Sequence, residues 1–242
     1  MSHFLVTVLI PGNTPMNSVE RFVDDMLEPY SQHLEVEGYE DECSCIGSLA
    51  LIDVQKALAK TYNAETIRKE FHNLPKKQQT EKRWKRMTAP MEKKRRELLI
   101  AHPLMDKPNP ECSNCGGTGK YICYCNPDTR WDWWVIGGRW DGWIFGPERE
   151  KASRDKEGGF NFGNEHHTPE NNCRPVSAIP IDDPHYVPFA ILTPENEWVE
   201  QGEMGMWATV ANEKDINQWH EIVKSVLEKY PSHLAVAVDC HI

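Results

Sequence analysis

The chain has 242 residues, 39% of them hydrophobic and 10% aromatic, which excludes a disordered protein, and every apolar run stops short of the roughly 20 residues a membrane-spanning helix needs. Thirty-seven acidic against 27 basic residues give a net charge of -10, which counts against a dedicated nucleic-acid binder. Phe4 to Ile10 has no basic segment before it and no small-residue cleavage pattern after it, so it does not read as a signal peptide. The expected setting is therefore the reducing cytoplasm, where eight cysteines read as thiols or metal ligands, not as a disulfide framework.

Phe4-Leu-Val-Thr-Val-Leu-Ile10, rich in β-branched residues and ended by Pro11-Gly12, predicts a strand. A helix follows from the spacing of Val19, Phe22, Val23, Met26 and Leu27, with Ser18 as its cap. Residues 52–71 and 76–100 read as helical, broken near Leu74-Pro75 and at Pro90. Residues 68–96 hold twelve Lys and Arg against three Glu; with no aromatic platform beyond Trp84, this basic segment reads first as a solvated face or one that meets the acidic body of its own protein or of a partner, and only secondarily as a nucleic-acid contact. Residues 151–172, rich in glycine and polar side chains, predict a mobile loop. Tyr186 to Glu200 predicts two strands around Thr193-Pro-Glu-Asn196. A last helix carries Ile216, Trp219, Val223, Val226 and Leu227 behind an Asn212 cap, and Leu234 to Asp239 closes the chain as a strand.

Strand, helix, hairpin, helix, strand is the order of an α+β ferredoxin-like sandwich. Residues 1–30 and 186–242 then form the core, 31–110 a helical insertion with basic helices, and 111–185 a cysteine-rich knuckle, a tryptophan hairpin and the loop.

Cys112-x2-Cys115 followed by Cys123-x-Cys125 brings four thiols close in sequence, and Gly116, Gly117 and Gly119 supply the tight backbone a zinc knuckle needs. A structural zinc ion on these four cysteines is the expectation, with a redox dithiol or unliganded cysteines as the alternatives. Cys43, Cys45 and His102 stand in reserve as ligands.

Between Trp131 and Trp143 lie five tryptophans around Gly137-Gly138. A two-residue turn at the glycines would place Trp131, Trp133, Val135, Trp140 and Ile144 on a core face. Asp132, Trp134, Ile136, Arg139, Asp141 and Trp143 would fall on the other. Indoles beside an arginine and two carboxylates can stack a flat ring and hold an anionic group, so Asp132, Trp134, Arg139, Asp141 and Trp143 are the candidate ligand-binding residues. An ion pair from Arg139 to Asp132 or Asp141, sealing an apolar contact, is the alternative.

In such a sheet the last strand lies beside the first, which brings His3 close to His241, with Asp239 on the same face. His3, Asp239 and His241 are thus candidate catalytic or metal-ligating residues, or hydrogen-bonded surface groups. His166-His167 and His185 are weaker candidates.

These pieces resemble a family of uncharacterised proteins of tailed phages and bacterial genomes. The resemblance rests on Met1-Ser-His-Phe4, Cys112 to Gly119, Tyr124-Cys-Asn-Pro127 with Arg130-Trp-Asp-Trp133, Gly137-Gly-Arg-Trp140, Asn212-Glu-Lys-Asp215 and Val238 to Ile242. It departs at Cys125, which interrupts a Tyr-Asn-Pro run, and at Arg130, where a lysine is usual. The resemblance implies a setting in the host cytoplasm but no chemistry.

Three functional readings follow. The first is a non-enzymatic binding protein of the phage counter-defence type, holding an anionic nucleotide-like small molecule on the Trp/Arg wall. The second is an inhibitor that docks directly on a host protein. The third is a metal-dependent hydrolase or nuclease using His3, Asp239 and His241 or the Asp132/Asp141 pair.

Overall fold

The computed structural model describes residues 2–157, 167–205 and 209–242. Residues 158–166, the centre of the expected mobile loop and the site of His166, lie outside the described residues. The chain divides into two units, one formed by the residues up to Val36 and from Cys125 onward, the other by Glu37–Tyr124. The insertion is therefore shorter than residues 31–185, because the tryptophan-rich segment belongs to the main sheet.

In the first unit β1 (His3–Ile10) leads to helix α1 (Val19–Leu27). The second unit holds β2 (Tyr39–Glu42), α2 (Ser48–Thr61), α3 (Ala64–His72), α4 (Glu81–Ile100) and β3 (Lys120–Cys123). The first unit resumes with β4 (Trp133–Ile136), α5 (Pro147–Glu157), α6 (Pro169–Asn172) and β5 (Cys173–Pro175). It ends with β6 (Ala190–Leu192), β7 (Trp198–Glu200), β8 (Glu203–Gly205), β9 (Thr209–Ala211), α7 (Ile216–Lys229) and β10 (Leu234–His241).

The main sheet runs β4-β10-β1-β6-β7, with β5 also on β10. β1 and β10 pair antiparallel over their full length, His3 opposite His241 and Ile10 opposite Leu234. β1 and β6, however, are parallel. A ferredoxin-like sandwich interposes its third core strand between the first two, so this mixed α+β sheet departs from that expectation.

The layering departs too. Phe4, Val6, Val8 and Ile10 pack on one face with Val19, Val23 and Leu27 of α1, while Leu5 and Leu9 pack on the other with Trp219, Val223 and Leu227 of α7. Helices thus cover both faces of the sheet, which is why β1 is one continuous apolar run and does not alternate with polar residues. Each fully buried Val, Leu or Ile in this core contributes about 1.5–3 kcal/mol.

Several local expectations are corrected. Gly137 and Gly138 make no hairpin: β4 finds its partner in β10, with Trp133 opposite His241 and Val135 opposite Asp239. The chain then leaves in a 3-10 turn over Gly138–Trp140. The glycines serve close approach instead, at φ of 73° and 53°. A Cβ on Gly138 would lie 2.4 Å from that of Asp239, and one on Gly137 would lie 2.5 Å from the Asn172 amide nitrogen. Asp215, not Asn212, caps α7, its carboxylate accepting from the Asn217 amide at 2.9 Å.

In the second unit β2 and β3 form an antiparallel ribbon. α4 runs through Pro90 without a break. Pro90 is exposed, so water can satisfy the carbonyl one turn back that lacks an amide partner.

Candidate functional site

Two constellations carry chemistry, one in each unit. In the Glu37–Tyr124 unit the four sulfurs of Cys43, Cys45, Cys112 and Cys115 all lie within 4.8 Å of one another. Cys43 follows the end of β2, Cys45 sits just ahead of α2, and the Cys112–Gly119 loop leads into β3. Cys43 and Cys112 are 3.7 Å apart and Cys45 and Cys115 3.5 Å, far beyond a disulfide bond. Four thiolates about 2.3 Å from a central tetrahedral ion stand about 3.8 Å apart, so these residues fit a metal ion.

The loop is built to hold thiolate charge. Gly116, Gly117 and Gly119 adopt positive φ, and the Gly119 amide points at the Cys115 sulfur from 3.4 Å. Burial opposes ionisation of Cys115, but the amides of Gly119 and Gly117 and the Cys45 thiol outweigh it and bring the thiol down to about 6. The Cys115 and Asn114 amides lower Cys112 as well. Burial pushes Cys45 up to about 12. One cluster thus contains thiols that ionise readily and one that needs a cation to do so.

The cluster differs from the expected set of four. Cys112 and Cys115 take part, whereas Cys123 is buried on β3 opposite Tyr39 and Cys125 is exposed and belongs to the other unit. The Cys43-Ser-Cys45 pair held in reserve stands beside Cys112 and Cys115 in their place. The Nδ1 of His102 accepts the Leu104 amide at 3.3 Å, which gives it a local turn to hold.

The second constellation lies at the His3 end of the main sheet. Ladder pairing places His3, Asp239, His241 and Trp133 on one face. His3 Nδ1 is 2.9 Å from Asp239 Oδ1, and the second Asp239 oxygen accepts the Arg139 amide at 3.0 Å. His241 Nδ1 is 2.6 Å from Asp132 Oδ1. A carboxylate can only accept, so in each pair Nδ1 carries the hydrogen and Nε2 is the nitrogen left for other work. The two imidazoles meet edge to face at 4.9 Å, and the Trp133 indole stacks on His241 at 5.2 Å. His3 and His241 side chains are each only 6% exposed, and Asp239 2%. His241 Nε2 is buried without a hydrogen-bond partner among the described residues.

His3 opens onto a cleft of about 390 Å³, walled by Trp140, Trp143, Val187 and Phe189 and edged by Glu150, His185 and Gln201. His185 is held in place by reciprocal bonds with Trp143: the indole donates to the His185 carbonyl at 3.0 Å and the imidazole donates to the Trp143 carbonyl at 3.1 Å.

The expected Trp/Arg wall is not assembled. Asp132 joins the histidines. Trp134 points to the opposite face of the sheet, against the α1 side of the core. The Arg139 side chain is exposed, while its backbone holds Asp239. Asp141 is buried and bonded to Asn172 at 2.6 Å, and Trp143 is a core residue that offers only one side to the cleft. These residues separate because the segment pairs with β10 and not with itself. His185, a weaker candidate in the sequence, lies at the cleft edge, and Glu150 joins it there from a segment with no sequence pattern to mark it. His3, Asp239 and His241 do converge, joined by the Asp132-Trp133 and Gly138-Arg139 segments.

No protein-family profile, curated protein or solved structure matches this chain.

Proposed function

We propose that the protein is an enzyme that hydrolyses a small molecule held in the His3 cleft, and that the four cysteines of the other unit bind a structural zinc ion. The observation that carries the catalytic reading is the His3–Asp239 dyad at the cleft wall, its carboxylate fixed from behind by the Arg139 amide. A histidine oriented by a buried carboxylate is a general base: Nε2 takes a proton from water as the water oxygen attacks, Asp239 stabilises the imidazolium, and the proton passes to the leaving group. His241, held by Asp132 and stacked under Trp133, fixes the far side of the His3 ring.

The aromatic walls of Trp140 and Trp143 suit a ring-bearing substrate, such as a nucleotide. In the phage setting implied by the resemblance, that substrate would be a host messenger destroyed by the protein. Four thiolates in a closed cluster, with no fifth His, Cys or carboxylate among the described residues, suit zinc in a structural role.

The test is to incubate the purified protein with cyclic and linear nucleotides and with bis(p-nitrophenyl) phosphate. Turnover should fall by about 10²- to 10⁴-fold in His3→Ala and in Asp239→Asn, with far-UV circular dichroism unchanged. A wild-type protein that turns over none of them, or a His3→Ala variant that keeps the rate, would refute the reading.

A further inference from the structure

The net charge of -10 conceals a division between the units. Glu37–Tyr124 holds sixteen Lys and Arg against twelve Asp and Glu, a balance of +4, while the rest of the chain holds eleven against twenty-five, a balance of -14. The positive charge is also ordered in space. On α4, Lys82, Arg86, Lys93 and Arg96 recur at intervals of four, seven and three residues, which puts them within about 80° of arc on one side of the helix. Lys85 borders the same stripe, and all five are exposed. The opposite side carries Trp84, Met87, Thr88 and Met91, turned inward. α2 packs against α4 in the same unit.

Two things separate this stripe from an ordinary solvated face. Neutralising partners are few: Lys85 pairs with Glu81, Lys94 with Glu97 and Arg95 with Glu92. Lys82, Arg86, Lys93 and Arg96 make no ion pair among the described residues. Second, the carboxylates of α4 border the stripe, with Glu92 on one side and Glu97 on the other, so repulsion among the four cations is relieved only at its edges over about 21 Å of helix. A surface of this kind is stabilised by a polyanion that presents regularly spaced charge along a line.

We propose that the outer face of α4 docks on the phosphate backbone of duplex nucleic acid. A helix with its side chains is about 10–12 Å across, comparable with the major groove at about 12 Å. Asn and Gln, the readers of adenine, are absent from the stripe, so the contact is to phosphates and does not select sequence. This inference is independent of the His3 cleft and its chemistry.

The experiment is fluorescence anisotropy of the full chain with labelled 25-base-pair DNA and RNA duplexes of two unrelated sequences, from 50 to 300 mM NaCl. Four to five phosphate contacts give a slope of log affinity against log salt of about -4. Both sequences should bind alike. Lys82→Glu/Arg86→Glu/Lys93→Glu/Arg96→Glu should lose at least tenfold in affinity at 100 mM salt. Lys82→Arg/Lys93→Arg should keep it, and circular dichroism and metal content should match wild type in both. No wild-type binding at 50 mM salt, equal binding by the reversed-charge variant, or binding to polyglutamate with none to either duplex would overturn the proposal.

Discussion

Gly138 shows how one position can hold two requirements at once. Its φ of 53° lies where side-chain-bearing residues are strained, and its missing side chain leaves the space Asp239 occupies. Any Cβ would push the carboxylate away from His3 and from the Arg139 amide. Gly138→Ala is therefore expected to cost about 1–3 kcal/mol of stability and to lower the turnover of the cleft as well, read by urea denaturation and rate on the same preparation. An alanine variant of unchanged midpoint would show that the two backbones can separate without loss. Cys240 makes the contrast at the neighbouring residue: wholly buried, its thiol is pushed well up by burial, so it serves as a small apolar side chain between two functional neighbours.

β1, β10 and α7 set the geometry of the site. β1 and β10 align His3 with His241 because the register is pinned by side chains buried on both faces; a slip of one residue would exchange the α1-facing and α7-facing sets. α7 closes the α7-facing layer through Trp219, which is 0% exposed and donates its indole hydrogen to the Pro188 carbonyl at 2.7 Å. Pro188 lines the cleft, so the same side chain supports both core and site. Trp219→Ala should cost about 3–5 kcal/mol, lowering the urea midpoint and weakening any cleft ligand. A midpoint within error of wild type would mean that α7 is not a determinant of that layer. The sequence marks α7 and β1 correctly as elements. The neighbour of β1 is less visible: parallel pairing with β6 depends on which strand the long connection returns to the sheet, and no local pattern encodes that.

Across the whole molecule, the two units rest on different stabilising forces. The sheet unit relies on two apolar layers; the cysteine unit has a smaller buried set, centred on Cys43, Cys45 and Cys115, and on the proposed reading a bound ion supplies the remaining stability. Chelation with EDTA should therefore remove one calorimetric transition and leave the sheet unit's transition in place. A single transition unchanged by metal removal would refute a structural ion. Acid should act in the same direction. Without an ion the Cys115 thiol is already brought down to about 6, and a bound cation competes with the proton and holds the thiolate to lower pH still, so a metal is kept in neutral solution and released only below that value, as protons displace it from sulfur. Metal content measured after dialysis at falling pH, from neutral into the acid range, checks the sign.

What the sequence determined by itself was local: the strands at both ends, the helices at 19–27 and 216–229, and the positive-φ glycines of the Cys112–Gly119 loop. Each of these depends on side-chain period or backbone sterics, readable along the chain; the approach of His3 to Asp239 and His241 rests on an assumed pairing of the two terminal strands, which the sheet keeps although its overall order differs. Tertiary structure decided the rest. It brought Cys43 and Cys45 to Cys112 and Cys115 across some seventy residues, and it took Trp133 to β10 in place of its own hairpin. It also sent Trp134 and Trp143 to opposite sides of the sheet. The reason is the same in each case: a thiol, an indole or a strand edge gains stability from whichever complementary partner the folded chain delivers, and sequence distance places no limit on that choice.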